Sequence, residues 1–330
     1  MTSKTICIDP RWKNAGGIGT FYEKINDLNK YQKIDFEGSP ASPIDTIRTA
    51  RKMLLRNNSV VFFPGYIPPL FSKTPYVFTV HDLNHLDRDD NSSFSKRFFY
   101  NTVIKKGCKD SEFIFTVSDF SRKRIIEWSG VTADKVINVG NGVSEEYNPN
   151  GDFMKFDFDF LLCVSNRKKH KNEVGVLKAF KIADIDKNIK LVFTGKPDEY
   201  IQSLINHLKL KDRVVFTGYL DAAELPKLYR SARGLVFPSF YEGFGLPVIE
   251  AQASGIPVIT SSTTSLGEVS GGAAILVDPY QVDEIADGIE KVFNAKSDMC
   301  ELIRKGLLNA KTYTWERTAG LVDLYLKKIS

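Results

Sequence analysis

Residues 234–253 run as a buried strand, a glycine-containing turn and a helix in succession. The apolar run 234–238 is typical of a parallel strand, and Pro247 stands where the first turn of a helix should begin. Gly243 and Gly245 permit positive φ and a close backbone approach in the turn. A strand, turn and helix of this kind is the repeating unit of an α/β fold with a parallel sheet.

The same turn has the composition of a ligand site. The amides of the turn and of the helix start can face one anionic group, for which a diphosphate is the natural candidate. Glu242 precedes the turn and Glu250 lies about one helical turn inside the helix, so both carboxylates can approach the same crevice. Carboxylates repel a diphosphate and accept from hydroxyls, which indicates sugar and ribose as their partners. The alternative is an ordinary connection with turning glycines and solvated glutamates.

The rest of the chain alternates between strands and helices in two blocks. Strands of the first block are predicted at 5–9, 34–37, 59–63, 75–82, 112–117 and 135–139. Strands of the second are predicted at 160–164, 190–194, 213–218, 234–238, 256–260 and 274–277. The polar segment 144–157 is the predicted linker, so we expect an open α/β sheet in each of two domains, residues 1–150 and 151–313.

Helices are predicted between these strands and after the last one. They include 44–55, an aromatic-rich helix over 91–108 and three helices from residue 281 onward.

Three other segments contribute residues to the candidate site. Gly16 and Gly17 lie in a glycine loop between the first strand and its helix, which is again a phosphate-binding geometry. Arg167 and Lys171 follow strand 160–164, where basic residues can clamp a diphosphate. His81 ends the strand 75–82, at the edge where parallel sheets place ligands. A histidine fixed by a backbone carbonyl is the alternative for that position.

Composition limits the class of protein. The four cysteines have no paired spacing and are expected to be reduced thiols of a cytoplasmic protein. No stretch is long and apolar enough for a membrane span or a leader. Of the net charge of +5, most lies in residues 1–150, which hold 21 basic against 17 acidic residues. No nucleic-acid reader motif accompanies this charge, so we expect no nucleic-acid partner.

Two Asp-x-Asp patterns could indicate a metal site. They are Asp87 with Asp89 and Asp157 with Asp159. Such short patterns recur by chance in a chain this rich in acidic residues, and the histidines show no metal-ligand spacing. We therefore expect no metal.

The segment around Glu242 and Glu250 resembles the Glu-x7-Glu element of the retaining family 4 glycosyltransferases, which have the two-domain GT-B fold. Phe244 and Leu246 lie inside the matching Glu-Gly-Phe-Gly-Leu-Pro motif, and the Lys-Asn pair at Lys171 is also similar to an element of that family. The resemblance implies two Rossmann-like domains facing a cleft, with a final helix, 314–330, that returns to the first domain.

The resemblance also implies roles. The first glutamate contacts the donor sugar, the second holds the ribose, the turn residues Gly243–Leu246 with Gly16 and Gly17 line the donor site, and His81 faces the sugar. Lys171 and Arg167 stabilise the leaving diphosphate without a metal or other cofactor. The expected reaction is retaining transfer of a hexose, with mannose from GDP-mannose preferred, to a hydroxyl of a growing surface glycan such as a lipid-linked O-antigen or capsule oligosaccharide.

Two other classes stay open at this point. One is a sugar-nucleotide epimerase of the same fold, and the other is a non-catalytic nucleotide-sugar or glycan-binding protein. A final hypothesis places Phe94, Phe98 and Phe99, with Lys96 and Arg97, against the anionic inner face of the plasma membrane. The alternative is that these aromatics form the core side of a helix whose cations are solvated.

Overall fold

The computed structural model of the protein describes residues 4–54, 56, 58–88, 90 and 92–330. These residues form two compact units, one reaching Gly142 and including Thr314–Ser330, the other Val143–Tyr313. Each unit contains, within the described residues, one six-stranded parallel sheet, which confirms the expected fold class. The first unit ends at Gly142 rather than at residue 150, because Arg230 of the second unit donates to the carbonyl oxygens of Glu146 (2.9 Å) and Asn148 (3.2 Å).

The first unit alternates strands and helices. Its strands are β1 (Thr5–Ile8), β2 (Gln32–Lys33), β3 (Ser59–Phe63), β4 (Tyr76–Thr79), β5 (Phe113–Thr116) and β6 (Val136–Asn138). Its helices are α1 (Gly16–Asn29), α2 (Asp45–Met53), α3 (Asn84–Asp87), α4 (Phe94–Phe99), α5 (Lys105–Asp110) and α6 (Asp119–Ser129). The strand order is β2-β1-β3-β4-β5-β6, and all five pairings are parallel.

The strand predicted at 34–37 is wrong. The edge strand is β2, two residues earlier, and pairing continues only to Ile34, whose amide donates to the Ile8 carbonyl (3.0 Å). Ile34 and Phe36 are both buried, which produced the alternating pattern. Phe36 packs against the Phe63 ring instead of continuing the sheet.

The helix predicted over 91–108 is interrupted. Residues Tyr100–Ile104 form a π-helical turn between α4 and α5, and residue 91 lies outside the described residues. Tyr100 and Ile104 are buried, whereas Phe94 and Phe98 are 88% and 62% exposed. The alternative in which the aromatics of this segment form the core side of a helix is therefore wrong for these two phenylalanines.

The second unit repeats the pattern. Its strands are β7 (Phe160–Cys163), β8 (Lys190–Phe193), β9 (Val214–Phe216), β10 (Gly234–Phe237), β11 (Val258–Ser261) and β12 (Ile275–Val277). Its helices are α7 (Glu173–Ile182), α8 (Glu199–His207), α9 (Leu225–Ser231), α10 (Leu246–Ala253), α11 (Thr264–Val269), α12 (Val282–Asn294) and α13 (Lys296–Ala310). The order is β12-β11-β10-β7-β8-β9, again parallel throughout.

The last helix, α14 (Trp315–Lys327), belongs to the first unit. It packs on α1, where Tyr31 donates to Asp323 (3.2 Å) and Asn29 donates to the Ala319 carbonyl (3.0 Å). The edge of Tyr325 also contacts the Phe113 ring on β5. The expected return of this helix to the first domain is confirmed. Among the described residues, no helix has the length and apolar character needed to cross a bilayer.

Candidate active site

The sheet of the second unit has a switch point between β7 and β10. These strands are neighbours, but the chain continues from β7 to β8 on one side and from β10 to β11 on the other. The turns that leave their carboxyl ends therefore diverge, and open α/β sheets bind ligands at such a point.

Lys171 and Glu242 meet at this switch point. Lys171 ends a short 3-10 turn after β7, and its Nζ lies 2.8 Å from Oε1 of Glu242 in the turn after β10. The side chains are 14% and 13% exposed, and Nζ also lies 4.7 Å from the centroid of the Phe237 ring. An ammonium has three donors, so this contact leaves Lys171 the capacity to bind a phosphate oxygen as well.

Asn172 holds the two turns together. Its Nδ2 donates to the carbonyl oxygens of Pro238 (3.0 Å) and Pro279 (2.7 Å), while Oδ1 accepts from the Gly175 amide at the start of α7 (3.2 Å). The side chain is buried and the residue has a left-handed φ of 55°. Asn172 was not among the predicted site residues, although an Asn before a helix is a recognisable cap signal.

The glycine turn has the predicted left-handed residue at Gly245. Gly245 caps α10 with a φ of 98°, and a Cβ at this position would clash with Leu266. Pro247 lies in the first turn of α10, as predicted. Ser265 of α11 donates to the carbonyl oxygens of Glu242 (2.9 Å) and Phe244 (3.0 Å), which orients the turn. Gly243 and Phe244 are buried, and Leu246 is half-buried.

Glu250 is partly buried one turn inside α10. Tyr229 of α9 donates to its Oε2 (2.7 Å), and Tyr147 donates to the same carboxylate. Burial raises the pKa of Glu250 to about 7 against the opposing effects of both tyrosines and Lys171. Neither tyrosine carries a sequence signal that links it to Glu250.

Arg167 follows β7 but points along the sheet toward β8 and β9. Its guanidinium lies 5.3 Å from the centroids of the Phe193 and Phe216 rings and donates to the Thr194 carbonyl (2.6 Å). It also pairs with buried Glu173 (3.1 Å), and burial raises the pKa of that carboxyl. These contacts of Arg167 do not involve Lys171 or Glu242, so its predicted role beside Lys171 stays a prediction.

His81 and the first glycine loop belong to the first unit. His81 follows β4, its Nε2 donates to the Pro64 carbonyl (2.9 Å), and its ring meets the Phe21 ring edge-on. Burial lowers the pKa of His81 to about 4, so the imidazole is neutral at pH 7. Gly16 opens α1 with a φ of 56°, and a Cβ at Gly16 or Gly17 would meet open space.

A buried ion cluster supports that loop and was not predicted. Arg11 pairs with Asp9 (2.8 Å) and Asp45 (2.7 Å), both almost fully buried, and donates to the Glu37 carbonyl (2.9 Å). The cluster thereby joins the segments that follow β1 and β2 to the start of α2. A lone Arg two residues after a strand gives no sequence signal for such a cluster.

Asp157 and Asp159 lie away from this switch point. Asp157 and Asp159 precede β7, at the edge of the sheet opposite Lys171, and Asp159 lies 3.7 Å from Arg233. Asp87 pairs with Arg124 (2.7 Å), and Asp89 is outside the described residues. In the part of the chain that the structure describes, no three His, Cys, Asp or Glu side chains gather as a metal-ion site.

Both units match known families. Residues 154–307 match the family model described as "Glycosyl transferases group 1", and residues 29–147 match the one described as "Glycosyltransferase Family 4". These segments contain the turns after β4, β7 and β10.

Individual relatives support the same comparison. The chain is 29% identical to the O-antigen chain mannosyltransferase B of Escherichia coli over 79% of its own length and 72% of that relative. It is 28% identical to the serotype-specific mannosyltransferase WbdA of Escherichia coli, over 68% of its own length but only 30% of WbdA. The structure of sucrose-phosphate synthase from Thermosynechococcus elongatus superimposes with a TM-score of 0.80 at 17% identity, covering 98% of both chains. At 17% identity, this structural similarity is evidence for the fold alone.

Proposed function

Because this chain belongs to the family 4 glycosyltransferases of the GT-B fold, we propose that it transfers a hexose, mannose from GDP-mannose, to a hydroxyl of a growing surface glycan. The anomeric configuration of the sugar is retained, and no metal takes part. The observation that carries the proposal is the Lys171–Glu242 pair at the switch point of the second sheet. There a cation and a carboxylate meet in the turns after β7 and β10, and the second turn leads into the start of α10.

The leaving group sets the chemical demand. The bond from the sugar C1 to the phosphate oxygen breaks, C1 gains oxocarbenium character, and negative charge grows on the departing diphosphate. Lys171, together with the amides around Gly243 and Gly245 and the dipole of α10, stabilises that charge. Arg167 is the second candidate cation. Glu242 holds the Lys171 ammonium with Oε1 and has Oε2 to accept from sugar hydroxyls.

The acceptor proton goes to the donor. In same-face attack, the acceptor oxygen bonds to C1 while its proton passes to a phosphate oxygen of the leaving diphosphate, so charge and atoms balance without a protein base. His81 is neutral and its Nε2 proton is engaged by Pro64. Its Nδ1 is thus an acceptor for a sugar hydroxyl, and we assign His81 to positioning.

The sugar assignment rests on relatives. The E. coli relatives named above are mannosyltransferases, one of them of the O-antigen chain. A lipid-linked O-antigen or capsule oligosaccharide is the corresponding acceptor class for this chain. Because these relatives are transferases, they favour a transferase over a sugar-nucleotide epimerase or a non-catalytic binding protein.

The place of action follows from the acceptor. A lipid-linked glycan presents its hydroxyl beside an anionic membrane, and exposed Phe94 and Phe98 flank Lys96 and Arg97 on α4. We assign the enzyme to the cytoplasm, with peripheral and salt-reversible contact at the inner face of the plasma membrane.

A donor panel tests the assignment. Thermal unfolding is measured with GDP-mannose, GDP, UDP-glucose and UDP-galactose, since a ligand at 100 times its Kd stabilises the folded state by about 2.7 kcal/mol. GDP-mannose should raise Tm most, and glycan transfer should follow only when an acceptor is added. A larger shift with a UDP-sugar would overturn the mannose assignment. Donor conversion without any acceptor would identify an epimerase, and donor binding without turnover on any acceptor would identify a binding protein.

A further inference from the structure

The Glu250 carboxylate lies between two phenols from separate parts of the second unit. Tyr229 of α9 is fully buried and donates to Oε2 at 2.7 Å. Tyr147, in the segment after Val143, donates to the same carboxylate, and its ring meets the Tyr229 ring edge-on with centroids 5.5 Å apart. Packing of the rings against each other fixes both hydroxyls on one acceptor.

Few ionisable groups act on this carboxylate. Burial raises the pKa of Glu250 to about 7, and the bonds from Tyr229 and Tyr147 and the charge of Lys171 lower it in that order. Without the two phenols, burial would favour the protonated acid at neutral pH. Helices α11 and α13 also pack on α10, where Leu266 lies beside Gly245 and Asn309 donates to the Gln252 side chain.

The geometry also sets how many further bonds Glu250 can accept. An ionised carboxylate offers about four lone-pair positions, and the two tyrosines occupy two of them. The remaining two suit the vicinal hydroxyls of a ribose, which are donors here. A protonated carboxyl would lose acceptor capacity and add a donor of its own, so it would suit a diol less well.

We propose that Tyr229 and Tyr147 are positioning residues that keep the Glu250 carboxylate anionic and oriented for the ribose diol of the donor. This inference rests on the proposed function, in which Glu250 holds the ribose. It adds a pH-dependent donor affinity that the reaction itself does not require.

Binding of GDP and UDP, which share the ribose diphosphate, is measured by calorimetry from pH 5.5 to 9. Wild-type affinity should fall as the pH drops through the pKa of Glu250, about 7. In Tyr229→Phe the midpoint should move upward by about one pH unit, since one charge-assisted hydrogen bond is lost. Affinity should therefore drop several-fold at pH 7 and recover by pH 9. Tyr147→Phe should shift the midpoint in the same direction, and it carries the test if Tyr229→Phe does not fold.

Matched changes separate the outcomes. Tyr200→Phe removes a phenol from exposed α8 and should leave the profile unchanged. A loss of affinity in Tyr229→Phe and Tyr147→Phe that is equal at every pH would indicate support of packing only and overturn the inference. Glu250→Gln should bind weakly and lack the transition near pH 7, and 2′,3′-dideoxy-GDP should bind wild type without that transition; both should keep only the change caused by the terminal phosphate, whose pKa is about 6. If Glu250→Gln binds both nucleotides like wild type, the ribose role itself fails, whatever the tyrosine variants do.

Discussion

Lys171 and Glu242 neutralise each other across two turns that are far apart in the chain. Their 2.8 Å contact keeps the ammonium at the carboxyl end of β7 and β10, with little solvent around it. A cation held in this way need not reorganise when a diphosphate departs, and such preorganised charge is the usual source of large rate effects. We therefore expect the loss of Lys171 to lower the turnover rate more than it weakens donor binding.

Lys171→Ala should lower kcat by on the order of 10²-fold, with a smaller change in donor KM, because the leaving-group charge grows only as the glycosidic bond breaks. Steady-state rates over a range of GDP-mannose concentrations give both constants. Lys169→Ala, two residues earlier and exposed, is the control and should keep kcat near wild type. An unchanged kcat in Lys171→Ala would assign the charge to Arg167 or to the amides of the α10 start.

His81 should make folding stability depend on pH. Its folded pKa of about 4 lies below the unfolded value of 6.5, so the unfolded chain binds more protons between these values. Stability should therefore fall as the pH drops from 6.5 toward 4, by at most about 3 kcal/mol. Urea unfolding at pH 7 and pH 5 measures the difference. His81→Gln should reduce this difference in stability, because a Gln side chain does not titrate between pH 5 and 7, and its amide can still donate to the Pro64 carbonyl. His207 is exposed, so His207→Gln should leave the difference unchanged.

At the scale of elements, α4 departs from its sequence pattern. Aromatic residues at helical spacing normally mark a buried face, yet α4 turns Phe94 and Phe98 to solvent. The π-helical turn that follows brings Tyr100 and Ile104 into the core. An exposed aromatic pair beside cations has the composition of an interfacial membrane helix.

The double variant Phe94→Ser with Phe98→Ser should fold normally and lose flotation with vesicles of phosphatidylcholine and phosphatidylglycerol at low salt. Each basic residue near the headgroups contributes roughly 1 kcal/mol, which salt screens over a Debye length, so wild type should detach at high salt. Neutralising the basic residues of this segment should also release the protein, and these are Lys96, Arg97, Lys105 and Lys106.

Phe153→Ser is the control for that experiment. Phe153 is a 59% exposed phenylalanine of the second unit, so its loss removes similar apolar surface elsewhere. Flotation should survive it. Equal binding of wild type to neutral and anionic vesicles would rule out the electrostatic mechanism and leave the transferase assignment untouched.

At the scale of the whole molecule, the two units repeat one plan. Each has a parallel sheet with a switch point, between β1 and β3 in the first and between β7 and β10 in the second. In both units a glycine-containing turn follows a strand at the carboxyl edge and leads into a helix, α1 after β1 and α10 after β10. The Asp157 and Asp159 pair lies at the other edge, before β7.

This placement supports metal-independent transfer. EDTA treatment of the whole enzyme should change kcat by less than about twofold, and Mg²⁺ or Mn²⁺ should add little, because Lys171 and the backbone amides supply the positive potential that a metal would otherwise provide. Rates measured after chelation and after metal addition test this. Loss of activity on chelation that Mn²⁺ restores would contradict this prediction. It would favour a metal site at Asp157 and Asp159 or at Asp87 and Asp89.

The sequence by itself determined most local units of this protein: the strands other than the edge strand β2, the glycine turn at Gly245, the first turn of α10 at Pro247 and the order of elements. These features depend on hydrophobic period and on backbone freedom, which neighbouring residues encode. It also indicated Glu242, Glu250 and Lys171 as site candidates.

Only the tertiary structure decided which side chains meet. The insertion of β10 beside β7 brings Lys171 to Glu242, and the packing of α9 and segment 143–150 brings Tyr229 and Tyr147 to Glu250. It also directs Arg167 toward Glu173 and turns Phe94 outward. These contacts join residues far apart in sequence, and they depend on which strands and helices become neighbours, a choice made by burial of the whole core rather than by any local pattern.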